Sequence, residues 1–177
     1  IRMKKFILLL ALSLWLTGCS SSVELQKHTF TYELGADVYG NPKLYIKNAD
    51  KYNTDKMEVV PQSKGIYKEK NRFVNKGKDY LVCGTYDFTL VDGSTKIPFK
   101  IKIKDTQAPL VNNSPTEITC TVGQEPDYQT AFDASDLSGV NYESDVDTST
   151  TGTKSTTVRI YDRFGNSVEK KVNIVVQ

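Results

Sequence analysis

The chain has 177 residues, 38% of them hydrophobic and 25% charged, and its formal net charge is +2 at pH 7. Arg2, Lys4 and Lys5 supply three of its 23 basic residues, so the rest of the chain is nearly neutral, with 20 basic and 21 acidic residues. Because nucleic-acid recognition normally starts from a strongly basic face, this balance argues against a nucleic-acid-binding protein.

The first 18 residues have the layout of an export signal. Lys4 and Lys5 precede an apolar run at residues 6–16, and Thr17 and Gly18 then lead into Cys19. That run is too short to span a bilayer as a helix, which takes about 20 residues. The layout resembles a bacterial lipoprotein signal peptide, which implies cleavage before Cys19 and lipidation of its thiol. We therefore predict a lipid anchor on the extracytoplasmic face of a bacterial cell membrane; the open alternative is an ordinary secretory signal with an incidental cysteine.

The remaining chain divides into a tether and two units. Residues 19–27 have three serines directly after Cys19 and predict a short flexible tether. About 150 residues follow, enough for one large or two small domains. Residues 20–104 hold 15 basic and 10 acidic residues, whereas residues 105–177 hold 5 and 11. This asymmetry predicts two units with different surfaces, at residues 28–104 and 105–177.

The two units repeat one order of strands. Each has an alternating strand that ends in glycine, a strand that opens with Gly-Thr, and a long alternating strand at its end. These lie at residues 29–35, 84–90 and 97–103 in the first unit and at residues 117–123, 152–158 and 168–176 in the second. Alternation of period two is typical of half-buried antiparallel strands. No segment after the signal shows a helical period, so the sequence predicts an all-β fold.

Two motifs make the repeat more specific. The linker Lys104-Asp105-Thr106-Gln107-Ala108-Pro109 joins the units, and Tyr161-Asp162-Arg163-Phe164-Gly165-Asn166 precedes the last strand. With the repeat, they resemble the tandem bacterial immunoglobulin-like domains of cell-surface proteins. The resemblance implies two immunoglobulin-like β-sandwiches of stacked antiparallel sheets, with a tight positive-φ turn at Gly165-Asn166 between the last two strands. The first copy departs from the pattern through an insertion around residues 50–79.

Reactive side chains do not form a catalytic pattern. His28 is the only histidine, and no nucleophile elbow or similar motif lies near it. One histidine and scattered cysteines also lack the ligand spacing of a zinc site. We therefore predict no catalytic residue, no cofactor, no metal site and a non-enzymatic protein.

An acidic stretch of the second unit keeps calcium as an open alternative. Asp133, Asp136, Asp145 and Asp147 lie around Ser138-Gly139, and oxygen-rich loops of this kind bind Ca²⁺ in some proteins. Asp and Ser also cap turns by bonding to nearby backbone amides, which is the favoured interpretation.

Cys83 and Cys120 are the other two cysteines, and they fall in different units. Cys120 shares the parity of Ile118 and Val122 and is expected to face the core. We predict two buried, unpaired thiols; a disulfide remains the alternative for an exported protein.

The insertion contains a segment from Lys64 to Lys78 that mixes basic and aromatic residues. Clustered positive charge concentrates polyanions. The candidate polyanion-binding residues are Lys68, Lys70, Arg72 and Lys76. The alternative is a solvated hairpin with a few core anchors.

These observations predict a non-enzymatic, lipid-anchored surface module that acts as a spacer or as an adhesion and ligand-binding element. The alternative is a carbohydrate- or anionic wall-polymer-binding module that uses the basic insertion. Its tyrosine candidates for sugar stacking are Tyr39, Tyr45, Tyr52 and Tyr67. Besides the membrane, the expected partners are a cell-wall polymer, a glycan or a surface protein.

Overall fold

The computed structural model describes residues 22–177. The predicted signal peptide and Cys19 lie outside these residues, so lipidation of Cys19 stays a prediction. Within residues 22–177, no helix is long and apolar enough to cross a membrane.

Strands dominate the described chain, as the sequence predicts. The single α-helix among these residues is one short turn, and three 3-10 turns precede β2 at Pro42–Leu44, Ala49–Lys51 and Thr54–Lys56. The elements are β1 (Thr29–Glu33), β2 (Met57–Pro61), β3 (Ile66–Glu69), β4 (Arg72–Asn75), β5 (Gly84–Asp92), β6 (Thr95–Lys104), β7 (Leu110–Val111), β8 (Glu117–Cys120), α1 (Tyr128–Phe132), β9 (Ala134–Ser135), β10 (Asn141–Glu143), β11 (Gly152–Tyr161) and β12 (Ser167–Val176). The predicted all-β fold is confirmed.

The first half is built on a four-stranded sheet in the order β1-β6-β5-β2. β5 and β6 form a long antiparallel hairpin, and alternate residues such as Phe88, Phe99 and Ile101 are buried. β1 pairs with β6 in parallel. The prediction of purely antiparallel sheets is therefore wrong here, because alternation indicates which face of a strand is buried but not the direction of its partner.

A second layer covers this sheet. Phe73 of β4 lies edge-on to Phe88 with ring centroids 4.9 Å apart, and Tyr45 packs against Phe99 at 5.0 Å. The covering layer consists of the two-stranded sheet β3-β4 and the turns before β2. It is thus shorter and less regular than the second sheet expected of a sandwich.

The second half repeats the plan. Its sheet has the order β10-β11-β12-β8, and β8 again runs parallel to the last strand. Tyr128 and Phe132 of α1 are buried with Ile160 and Ile174 of the sheet, while β7 and β9 form a separate two-stranded sheet. A five-residue connection, residues 162–166, joins β11 and β12. Gly165 has the predicted positive φ, 89°, but Asn166 does not.

The buried side chains form two hydrophobic clusters that share no residue. One extends from Leu25 to Ile103 and the other from Ile118 to Val176. Each cluster lies within one predicted unit, apart from Leu25, which precedes residue 28. Independent folding of residues 28–104 and 105–177 stays a prediction.

The folded body begins earlier than predicted. The Gln26 amide donates to the Tyr45 carbonyl at 2.8 Å, and the Lys47 amide donates to the Glu24 carbonyl at 2.8 Å. Leu25 between them is only 6% exposed. The predicted flexible tether of residues 19–27 therefore does not extend over Glu24 to Gln26. These residues pair with the segment Tyr45 to Lys47, and the pairing buries Leu25.

The two described cysteines differ in burial. Cys120 lies in the second cluster, which confirms its predicted inward orientation. Cys83 is half-buried at the edge of the first cluster, so the prediction of full burial is wrong for it. Cys83 comes just before β5 and packs against the buried cluster without belonging to it.

Candidate functional site

We call residues 64–78, which contain β3 and β4, the basic hairpin. Its two turn residues, Lys70 and Asn71, are exposed and have φ of 47° and 65°. A two-residue turn with positive φ at both positions is of type I′, for which Asn-Gly is preferred. Lysine fits the first position poorly, because a left-handed backbone costs a residue that carries a Cβ about 1–2 kcal/mol.

Arg72, which directly follows the turn, anchors the tip of the basic hairpin. Its Nη1 atom donates to Asp37 Oδ1 in an ion pair, and the Tyr39 hydroxyl donates to Asp37 Oδ2 at 2.9 Å. These two hydrogen bonds hold the pKa of Asp37 below its ordinary value. The Phe73 amide also donates to the Val38 carbonyl at 2.8 Å. Arg72 is half-buried and serves to anchor the hairpin.

The other three candidate lysines are differently placed. Among the described residues, ion pairs involve only Lys47, Arg72, Lys100 and Arg159 on the basic side. Lys68, Lys70 and Lys76 are exposed and are not among them. Lys68 Nζ lies 6.0 Å from the centroid of the Phe73 ring, its partner residue on β4. These three positive charges, together with those of exposed Lys64 and Lys78, therefore remain available to an external anion.

The tyrosine candidates do not form one surface. Tyr39 and Tyr67 are 40% and 48% exposed, whereas Tyr45 is completely buried and donates its hydroxyl to the Tyr39 carbonyl at 2.6 Å. Burial raises the pKa of Tyr45 well above its ordinary value. Tyr52 is half-buried. Tyr45 is thus a core residue, and a sugar-stacking role is wrong for it.

The four acidic candidates of the second half make different contacts. Asp147 accepts from the Ser149 amide at 2.9 Å, Asp145 accepts from the Thr156 hydroxyl at 3.3 Å, and Asp133 ends α1 with φ of 47°. The hydrogen bonds from Ser149 lower the pKa of Asp147. Asp147, and Asp136 with its bond from the Ser138 amide at 2.7 Å, fit the turn-capping interpretation; Asp145 and Asp133 do not bond to a nearby amide in this way.

The fourth, Asp136, belongs to a group that sequence reasoning missed. Its carboxylate lies with those of Asp105 and Asp162, and one oxygen from each lies within 4.8 Å of the others. Asp105 and Asp162 stood in the two motifs that define the repeat. Their spacing of 57 positions gave no sign that they would meet. We call these three residues the carboxylate cluster.

The linker beside the carboxylate cluster is bonded to both halves, and we call this region the joint. Thr106 donates its amide to Glu33 Oε1 at 2.7 Å and its hydroxyl to Glu33 Oε2 at 2.8 Å. From the other side, Asn166 Nδ2 donates to the Asp105 carbonyl at 3.1 Å. A Cβ at Gly35 would lie 2.6 Å from Leu137 Cδ1, so the two halves are in close contact here.

Of the remaining candidates, His28 lies apart from these sites and Cys83 lies beside one of them. His28 is exposed, and its carbonyl accepts from the Lys100 amide at 2.9 Å. Cys83 borders the joint, where burial and then the negative charge of Asp105 raise the pKa of its thiol.

Comparison with known proteins identifies no family. No family model matches the chain, and no curated protein does so. Among solved structures, the insect immune protein hemolin matches with a TM-score of 0.38 and 13% identity, over 92% of this chain and 48% of that one. Extracellular domains 3–5 of Drosophila OTK match with a TM-score of 0.34 and 12% identity, over 88% of this chain and 62% of that one. An endo-fucoidan hydrolase of glycoside hydrolase family 107 matches with a TM-score of 0.30 and 12% identity. That match covers 88% of this chain but only 28% of the hydrolase.

Proposed function

We propose that the protein is a non-enzymatic module on the outer face of a bacterial membrane, anchored by lipid at Cys19, that acts as a spacer or adhesion element. The joint is the observation that carries this proposal. Its linker is bonded to Glu33 on one side and to Asn166 on the other. Contacts on both sides restrict bending between the halves, and a spacer must resist bending to hold its far end at a fixed distance.

The early start of the folded body supports the same function. Because the backbone is paired from Glu24 onward, only residues 20–23 separate the proposed lipid from the body. A fully extended chain spans about 3.3–3.6 Å per residue. Such a tether would hold the body within about 15 Å of the membrane surface.

We further propose that the adhesion function uses the basic hairpin to bind an anionic wall polymer. Lys68, Lys70 and Lys76 are exposed and take no part in the ion pairs of the described residues. Lys70 also occupies a backbone conformation that suits asparagine or glycine better. Departures from local preference are expected where function requires a particular side chain. A lysine at the first position of this turn is such a departure.

Retention on an immobilised teichoic-acid-type polymer tests the ligand. The wild type is compared with a triple variant, Lys68→Ser, Lys70→Asn and Lys76→Ser. A control with the same change in charge replaces three exposed lysines elsewhere: Lys51→Ser, Lys56→Ser and Lys96→Ser.

We expect the wild type and the control to be retained at low salt and the triple variant to pass through. Retention should weaken with salt, since exposed charges are screened over a Debye length of about 8 Å at physiological ionic strength. Equal retention of the triple variant and the control would contradict a role for the hairpin. Anionic lipid vesicles in a parallel assay distinguish a membrane surface from a wall polymer.

A further inference from the structure

A polar pocket lies between the basic hairpin and the turns before β2, and we call it the hairpin pocket. Its volume is about 370 Å³, within the range of about 300–1,000 Å³ that is common for small-molecule sites. Residues 40–43, Thr54, Asp55 and Met57 line it together with Lys68 and Asn71 of the hairpin. The pocket therefore joins one candidate lysine, Lys68, to residues that are remote from it in the sequence.

Lys68 is held over the backbone of Gly40. Gly40 is buried, and a Cβ at this position would lie 2.9 Å from Lys68 Cε and 3.2 Å from Lys68 Nζ. Gly40 is not among the glycines with positive φ, so the close approach of Lys68, and not the backbone conformation, requires glycine here. Lys68 Nζ also lies 6.0 Å from the centroid of the Phe73 ring, a cation–π distance. Packing thus fixes this ammonium group at the pocket.

Three charges at the hairpin pocket are unpaired. The ion pairs among the described residues include neither Lys43 nor Lys68 nor Asp55. Two positive charges and one negative charge leave the pocket with a net charge of +1, which complements a monoanion. Asn41 uses Oδ1 to accept from the Lys43 amide at 3.1 Å, so its Nδ2 is the donor that it can offer to a ligand.

The side chains at the pocket specify the chemistry of that monoanion. An ionised carboxylate accepts hydrogen bonds and donates none, so Asp55 needs a ligand that carries a donor, such as a hydroxyl group, beside its anionic group. Lysine binds phosphate as a point charge, whereas the planar fork of arginine matches a flat carboxylate. The chain uses Arg72 for the carboxylate of Asp37 and lysines at the pocket.

We propose that the hairpin pocket binds one phosphodiester of a polyol phosphate polymer, of which poly(glycerol phosphate) is the simplest. This inference rests on the proposed function of the basic hairpin and names the class of its polymer. Lys43, Lys68 and Asn41 would hold the phosphate oxygens, and Asp55 would accept from a neighbouring polyol hydroxyl. Each phosphodiester carries one negative charge, as the pocket requires.

The affinities for two soluble polymers with the same number of charges, poly(glycerol phosphate) and poly-L-glutamate, test the pocket. Isothermal titration at fixed ionic strength gives each Kd for the full chain carrying Cys19→Ala, which removes the lipid acceptor. Gly40→Ala changes no charge but displaces Lys68, whose far end is flexible; Asn71 Oδ1, at 3.1 Å from the new Cβ, lies at the exposed turn. Gly84→Ala is the matched control, because its Cβ would lie 3.6 Å from its nearest neighbour, Tyr86.

We expect the wild type to bind poly(glycerol phosphate) about tenfold more tightly than poly-L-glutamate, since charge-assisted hydrogen bonds are made to the first polymer alone. Gly40→Ala should weaken binding of poly(glycerol phosphate) by about threefold or more and leave binding of poly-L-glutamate unchanged. Gly84→Ala should change neither affinity. Thermal circular dichroism verifies that both variants are folded.

Two further pairs of variants test the pocket without Gly40. Lys43→Ser should reduce the preference for poly(glycerol phosphate), whereas exposed Lys51→Ser, with the same change in charge, should weaken the binding of both polymers alike. Asp55→Ala should also reduce the preference, because the hydroxyl loses its acceptor. Exposed Glu58→Ala removes the same charge and should leave the preference unchanged.

Equal affinities of the wild type for the two polymers would overturn the proposal, and so would a folded Gly40→Ala variant that keeps the full preference. Neither result would contradict the attraction of the basic hairpin for polyanions, which the triple lysine variant tests separately. Phosphatidylglycerol vesicles present the same glycerol phosphodiester. Tighter binding to these vesicles than to the polymer, weakened by Gly40→Ala, would overturn the polymer as the ligand and assign the pocket to a membrane lipid.

Discussion

Replacing Lys70 by Asn should stabilise the protein while weakening its retention on an anionic polymer. The backbone of Lys70 has φ of 47°, a conformation that costs a residue with a Cβ about 1–2 kcal/mol. Asparagine enters this region several-fold more readily than most residues. The Lys70 side chain is exposed, so few contacts are lost. We expect a gain of about 0.5–1 kcal/mol, or an increase in Tm of about 1–4 °C for a chain of this size.

Asn71→Gly is the matched control for this prediction. Glycine is preferred at the second position of a type I′ turn, so this variant should also stabilise the hairpin, but it leaves every charge in place. Thermal circular dichroism measures the stability of both variants, and polymer retention at low salt measures their binding. A lower Tm for Lys70→Asn would refute the turn argument. Equal loss of retention in both variants would show that turn shape, and not the lysine charge, determines binding.

Three further predictions concern the joint, the second half and the tip of the hairpin. Glu33→Ala removes both acceptors of Thr106, so hydrogen exchange at the Thr106 amide should accelerate at least tenfold, whereas exposed Glu58→Ala should leave it unchanged; an unchanged rate in Glu33→Ala would argue against a tied joint. A fragment of residues 105–177 should give a β-type spectrum and a cooperative melt, because it contains the whole second cluster; a random-coil spectrum would show that its core depends on the first half. The pKa of Asp37 is lowered on folding, so its stabilising pair with Arg72 is present above its ordinary value of 3.8 and is lost as pH falls through the lower folded value. NMR titration of the Phe73 amide should show this transition, and its persistence in Asp37→Asn would contradict the assignment.

The strands that carry the repeat could be predicted because their signal is local. In β11 and β12, alternate residues such as Val158, Ile160, Val172 and Ile174 are buried, and this alternation is visible within each strand. Partner and direction are not local properties. β1 pairs in parallel with β6, which lies more than 60 residues later in the chain, and no feature of the β1 sequence specifies that choice.

The short covering elements and the carboxylate cluster escaped prediction for related reasons. α1 spans only Tyr128–Phe132, too few residues to show a helical period. The cluster forms because three strands end at one place, and the meeting of Asp105 with Asp162 depends on tertiary structure alone. The basic hairpin could be predicted from its basic and aromatic residues. The ion pair between Arg72 and Asp37 could not, because it joins residues 35 positions apart, and it gives Arg72 a different role from the three exposed candidate lysines.

The most direct test of the proposed surface module is the fate of Cys19. Cells that produce the wild-type chain or Cys19→Ala are labelled with a fatty acid and separated into membrane, soluble and medium fractions. We expect labelled wild type in the membrane fraction, because two acyl chains anchor stably, and unlabelled Cys19→Ala outside it. An unlabelled wild-type chain found entirely in the medium would contradict the lipid anchor and, with it, the proposed membrane-bound function.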